Sequence, residues 1–244
     1  MTALLLALAM TAFDDAEALE KFKADIKGKD GAGRAAAIEE LAKTKSPKIC
    51  AKLSSLLTNE VTEVRCAAAK GLGEQDEKDE KKKAIAYLSG ALAPNAKELP
   101  VVAAILAALG KLADEACAPD VNKNVAHENI DVAKAAVEAA GEIKSATSFD
   151  PLIKSMKECE EILKPRDKGA NGGGGFGGGF GGRGGLGGPG GNMQNYREMR
   201  DRATALKPLI QKVLVSMTKV NCQDAADWEL WWKENRAKYK PDRS

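Results

Sequence analysis

One histidine, His127, and five cysteines, Cys50, Cys66, Cys117, Cys159 and Cys222, make up the chain's stock of soft or proton-shuttling side chains. A single histidine cannot build a multi-His zinc site, a two-His iron facial triad or a His-rich proton relay. No two cysteines form a CxxC pair, so the spacing suits neither a zinc ribbon nor a thioredoxin-like site. Cys50, Cys66 and Cys117 lie in Ala/Leu-rich stretches and read as buried thiols. Cys159 and Cys222 flank a glycine block, and in an oxidising compartment they could bridge its two ends, their separation being set only by the fold. The acids form no recognisable constellation around His127. The expectation is therefore no catalytic residue, no cofactor and no metal.

Composition sets the outer bounds. The chain has 244 residues, 44% apolar and 30% charged, enough apolar material for a core and too much for wholesale disorder. Lys and Arg total 37 against 35 Asp and Glu, a formal net charge of +2. That balance speaks against a dedicated nucleic-acid binder while leaving room for a local basic patch. An apolar run from Ala3 to Phe13 precedes Asp14 and Asp15. It is shorter than the about 20 residues a spanning helix needs, and its length suits a secretory signal cleaved near Ala12 or Ala18. No Lys or Arg precedes the run, so a first core helix of a cytosolic protein is the alternative. The expected boundary is a signal over 1–18, with export to the periplasm or the extracellular space. No later stretch is long and apolar enough to cross a membrane.

The elements that would position these residues show up as an internal repeat. Four stretches share one pattern, beginning near Gly33, Val64, Val101 and Val132 and ending on Ala42, Gly73, Gly110 and Gly141. Within them Ala36, Ala67, Ala104 and Ala135 align at spacings of 31, 37 and 31 residues. A period of this size marks a solenoid of supersecondary units. Small residues allow close helix approach, and Ile38, Leu41, Leu72, Leu106 and Leu109 supply buried bulk. The glycines are expected at helix ends, where a left-handed residue turns the chain. Partner helices are expected over roughly 47–58, 78–92, 114–124 and 147–163. In the third of these Pro119 should interrupt or end the helix. The run from Glu74 to Lys83 changes from acidic to basic, as suits a helix beginning near Asp79.

The stretch Val64-Arg65-Cys66-Ala67-Ala68-Ala69-Lys70-Gly71-Leu72-Gly73, preceded by Glu60 and Glu63, resembles the second-helix signature of the HEAT-like (armadillo-like) repeat family. The resemblance covers about residues 30–165. Arg34 and Arg65 match the family's repeated arginine, whereas Val102 and Ala133 stand in its place in the later units. The resemblance implies an all-α fold, a right-handed α-solenoid of antiparallel helix pairs over 19–165. It also implies scaffolding or protein recognition rather than catalysis. Some HEAT-like relatives act as bilin lyases, which makes a lyase-type enzyme with a bound chromophore one alternative.

Residues 169–191 read GANGGGGFGGGFGGRGGLGGPGG. Such a segment buries too little apolar area to offset the entropy of ordering it, so 166–192 is expected to be a flexible loop expanding the turn of one helical hairpin. Phe176, Phe180 and Arg183 resemble the RGG segments that contact RNA, but there is one such unit and no basic cluster. Beyond it, Tyr196 to Val220 follows helical spacing, with Pro208 expected to kink or break it. Its polar face carries Arg197, Arg200, Arg202, Lys207 and Lys212 against Glu198 and Asp201. Trp228, Trp231, Trp232, Asn235 and Tyr239 then form one helical stripe, read as a cap over the solenoid's last unit or as an exposed aromatic platform.

The expected function is a protein-interaction scaffold. The candidate contact residues are Arg65, Lys70, Lys134 and Glu138 on the second helices, with Trp228, Trp231 and Trp232 at the end. The rival is an RNA-associated protein using Arg183 and the basic face of 197–212.

Overall fold

The computed structural model describes residues 15–59, 61–165 and 191–241, with side chains omitted for 191–193. Every regular element among them is helical. The helices are α1 (15–25), α2 (Gly31–Leu41), α3 (Pro47–Leu56), α4 (Thr62–Gly73), α5 (Lys78–Leu92) and α6 (Leu99–Leu112). They continue with α7 (Ala118–Asn124), α8 (Ile130–Ile143), α9 (Phe149–Leu163), α10 (Gly191–Thr218) and α11 (Ala225–Asn235).

Local chemistry sets where they start. The Asp30 carboxylate accepts from Gly33 N at 2.9 Å, and Ser46 Oγ accepts from Ile49 N at 3.2 Å beside Pro47. Asn129 Oδ1 accepts from both Asp131 N and Val132 N, satisfying two of the amides that a helix leaves free at its start. Pro119 behaves differently from the expectation. It occupies the first turn of α7, after a 3-10 turn over Glu115–Cys117, where its missing N–H costs nothing, and so it opens the helix it was expected to end.

The architecture is a stack of helical pairs. The second helices pack on one another in order, α2 on α4, α4 on α6, α6 on α8 and α8 on α10, while α3, α5, α7 and α9 each pair with the helix that follows. Ile38, Leu41, Leu72, Leu106 and Leu109 are all buried, as their spacing required. α1 joins the first unit through the buried Phe22, with Lys21 paired to Glu40 at 3.6 Å and Lys48 to Asp15 at 3.9 Å. Residues 15–18, expected to belong to the signal, form the first turn of this helix. Residues 1–14, and with them the rest of the expected signal, lie outside the described residues, as does most of the glycine block.

The repeat's small residues act at the seams between second helices. A Cβ placed on Gly71 would lie 2.9 Å from Ala42 Cβ, on Gly73 3.0 Å from Ala108 Cα, and on Gly110 2.7 Å from Ala139 Cα. The seam thus repeats as Ala42 with Gly71, Gly73 with Ala108, and Gly110 with Ala139. At the last interface a Cβ on Gly141 would lie 3.1 Å from Val213 Cγ2 of α10. This corrects the expectation that Gly73, Gly110 and Gly141 turn the chain at helix ends. α6 and α8 run on past Gly110 and Gly141, and the left-handed positions are Ala113 (φ 48°) and Lys144 (φ 54°). At Gly73 and Gly110 the missing side chain allows close backbone approach, and at Gly141 it makes room for the Val213 side chain, so none of the three serves to turn the chain. Of the aligned alanines, Ala67 is buried, Ala104 and Ala135 are half-buried, and Ala36 is exposed.

α10 takes the place of a fifth second helix, packing on both α9 and α8, so residues 164–190 connect the two arms of a hairpin. It runs unbroken through Pro208. α11 lies on α9 and closes the stack. Trp232 stacks on the wholly buried Phe149 with centroids 4.1 Å apart and planes 10° apart. Tyr239 lies beyond the end of α11. Its ring meets Phe149 edge-on at 4.8 Å, and its hydroxyl donates to the Lys144 carbonyl at 3.1 Å. Cys159 and Cys222 are free thiols, so the bridge that the sequence allowed is not made.

Candidate protein-interaction surface

The repeat carries one charged column along the second helices. Lys70 on α4 donates to Glu39 on α2 at 2.7 Å, across a separation of 31 residues. Lys111 on α6 donates to Glu74, just past α4, at 2.5 Å across 37 residues. These separations are the repeat periods themselves, so each pair joins equivalent positions of neighbouring units. The Glu39 contact holds the Lys70 ammonium pKa above its usual value. Both pairs are solvent-exposed and hold the stack together only weakly, which leaves their charges free to exchange to another surface. Further along, Lys134 is half-buried and Glu138 exposed on α8, and neither forms an ion pair among the described residues.

Arg65 does not belong to this face. Its side chain is 14% exposed, Nη1 donates to Asn95 Oδ1 at 3.0 Å, and Nη2 lies 3.6 Å from Glu98. The guanidinium is consumed in fastening one unit to the next, a structural task that corrects its reading as a contact residue. Asn95 is buried and donates through Nδ2 to the Leu57 and Ala91 carbonyls at 3.2 and 2.9 Å. Gln75 has the same role in the preceding unit, its Nε2 donating to the Ala42 carbonyl at 2.9 Å while its Oε1 accepts from the Cys50 thiol at 3.7 Å. Gln75 and Asn95 each satisfy the end of an earlier helix from the loop of a later one. Sequence reasoning misses both. Their one signal is an amide side chain just after a helix that otherwise ends in apolar residues.

The tryptophans are likewise structural. Trp228 is 0% exposed, with Nε1 donating to Gln211 Oε1 at 3.0 Å, Trp232 is 9% exposed, and Trp231 is half-buried. Burial corrects Trp228 and Trp232 as contact residues, while Trp231, edge-on to Trp228 and tilted against Phe149, keeps part of its surface exposed. On α10, Lys207 pairs with Glu160 at 3.1 Å and Arg202 is half-buried, so the expected basic face is narrower than its sequence suggested.

The thiols have no thiolate character to offer. Burial pushes Cys50 and Cys117 up to about 11, and raises Cys159 against the smaller opposing influence of Arg202. Cys66 is half-buried on the second-helix face and also shifted upward by burial. Among the described residues no group of His, Cys, Asp and Glu could hold a metal ion. No helix among them is long and apolar enough to cross a membrane.

Stacked helical pairs with repeated seams and inter-unit polar clips define an α-solenoid repeat protein. Residues 19–99 match the family model of HEAT repeats, in line with the resemblance of the Val64–Gly73 stretch to the second helix of that family. Repeats of this kind generally serve as scaffolds for protein interaction. No curated protein matches the sequence.

Proposed function

We propose that the chain is a non-catalytic scaffold that presents its second-helix face, centred on Lys70, Lys134 and Glu138, to a protein partner. The observation that carries this reading is the two charge pairs in register with the repeat, Lys70 with Glu39 and Lys111 with Glu74, together with Glu138 at the position on α8 equivalent to Glu39 and Lys70 and Lys134 one helical turn before it, neither in an ion pair among the described residues. A rigid, laterally extended array of this kind is what repeat solenoids offer to large partners. Arg65, Trp228 and Trp232 drop out, because their binding capacity is spent inside the fold.

The test is affinity capture from the native host, run separately on envelope and cytosolic fractions. Wild type is compared with Lys134→Glu/Glu138→Lys and with a chain lacking 169–191. A recurrent protein, lost with the α8 double reversal and kept by the deletion, is the expected result, and its recovery from the envelope would support an exported scaffold. Capture of nuclease-sensitive material that depends on 169–191 would replace this reading with the RNA-associated one, and its sharp decline between low and physiological salt would identify the contact as phosphate-driven.

A further inference from the structure

We propose that the groove between α9 and α11 receives a short acidic segment of a protein partner. The inference rests on the scaffold reading, but it uses α9 and the closing helix α11 and lies apart from the charged residues on α4 and α8.

The groove has a volume of about 330 Å³ and is framed by α9 on one side and α11 on the other. Its floor is Ile153 with the edge of Trp232, both almost wholly buried and held in place by the stack on Phe149. Around that floor stand four cations. Lys157 is engaged by Glu229 at 3.0 Å, whereas Lys154, Lys233 and Arg236 are exposed and make no ion pair among the described residues. Asp150 is the one further acid in the lining. The groove is therefore built with unspent positive charge from both helices converging on an apolar floor, in a chain whose overall charge is nearly balanced.

The choice of ligand follows from the two carboxylates. Asp150 and Glu229 within the lining would repel the continuous charge of a nucleic-acid backbone, which favours an uninterrupted basic track. A peptide meets the same groups favourably. Its backbone N–H groups can donate to Asp150, its acidic side chains can pair with Lys154, Lys233 and Arg236, and one apolar side chain can lie on Ile153 and Trp232. Arg236 suits the role best, since its planar fork takes a carboxylate bidentately. The lysine stems add apolar wall area without surrendering their charged heads to the interior.

The experiment uses the full chain and a fluorescein-labelled peptide of Asp and Glu residues around a central Leu. An otherwise identical peptide with Asn and Gln replacing the acids serves as control, and a short single-stranded oligonucleotide as competitor, all at about 0.15 M salt. Lys154→Glu, Lys233→Glu and Arg236→Glu change exposed side chains, and unchanged helical circular dichroism and melting would verify their folds. Fluorescence anisotropy should show binding of the acidic peptide, with each reversal weakening it about three- to tenfold, no binding of the amide control and no displacement by the oligonucleotide. Absence of peptide binding by wild type, indifference to all three reversals, or preference for the oligonucleotide would each overturn the proposal. Lys134→Glu/Glu138→Lys should leave peptide binding unchanged, so failure of the groove and failure of the second-helix face give separate results.

Discussion

At the scale of the residue, glycine shows how one side chain, or its absence, acts according to place. Gly110 faces backbone, with the position of a new Cβ 2.7 Å from Ala139 Cα, whereas Gly90 on α5 has nothing within 4 Å. Gly110→Ala must push α6 and α8 apart or strain them, and is expected to destabilise the fold by about 1–3 kcal/mol. Gly90→Ala adds the same methyl into open space in an exposed stretch of helix and should stabilise by about 0.5–1 kcal/mol. Urea titrations of the two variants check both signs. If they shift the midpoint equally, the seam has no energetic meaning.

At the scale of the element, α11 closes what the repeats leave open. Phe149 begins α9 and has no further repeat to cover it. α11 covers it with Trp232 stacked at 4.1 Å and Trp231 tilted at 6.0 Å, and Tyr239 adds an edge contact from the turn that follows. Trp232→Ala should cost about 3–5 kcal/mol, the usual range for removing a large buried aromatic. It should also expose Phe149 enough to bind a hydrophobic dye. A Leu230→Ala change on the same helix, at a side chain 61% exposed, should move stability by no more than about 0.5 kcal/mol. A contact platform would reverse that order, with the tryptophan dispensable to folding.

At the scale of the whole molecule, the shared core couples distant units to one titration. Cys50 in α3 and Cys117 before α7 are both fully buried, and burial carries each thiol from the ordinary 9.0 to about 11. Between those values the unfolded chain has lost the proton that the folded chain keeps, so stability falls as pH rises. Below pH 9 neither form is ionised and no penalty arises; above 11 both are, and the loss levels off. Across the window each thiol contributes a slope of roughly 1.4 kcal/mol per pH unit. Cys50→Ala/Cys117→Ala should therefore show a shallower loss of stability from pH 9 to 11 than wild type in chemical denaturation. Parallel curves would mean that the thiols are solvated in the folded protein.

The helices and their repeat are legible in the order of residues alone. Periodic apolar residues and start signals such as Ser46-Pro47 are local physics, so the spans expected at 47–58, 78–92 and 147–163 correspond closely to α3, α5 and α9. The register of Ala42, Gly73, Gly110 and Gly141 is legible as well, since equivalent neighbours impose the same small residue in every unit. What that residue does is not legible. A glycine near a helix end serves equally well for a turn or for close approach, and only the position of the neighbouring helix separates the two. The same holds for Arg65 and the tryptophans, whose types suit recognition and whose partners, Asn95 at a distance of 30 residues and Phe149 on another helix, exist only once the chain is stacked. Lys154, Lys233 and Arg236 are ordinary surface charges along the sequence, and they converge on one groove only because α11 lies back across α9. Local propensity and periodicity are written in neighbouring residues; burial, pairing and convergence belong to contacts that tertiary packing alone creates.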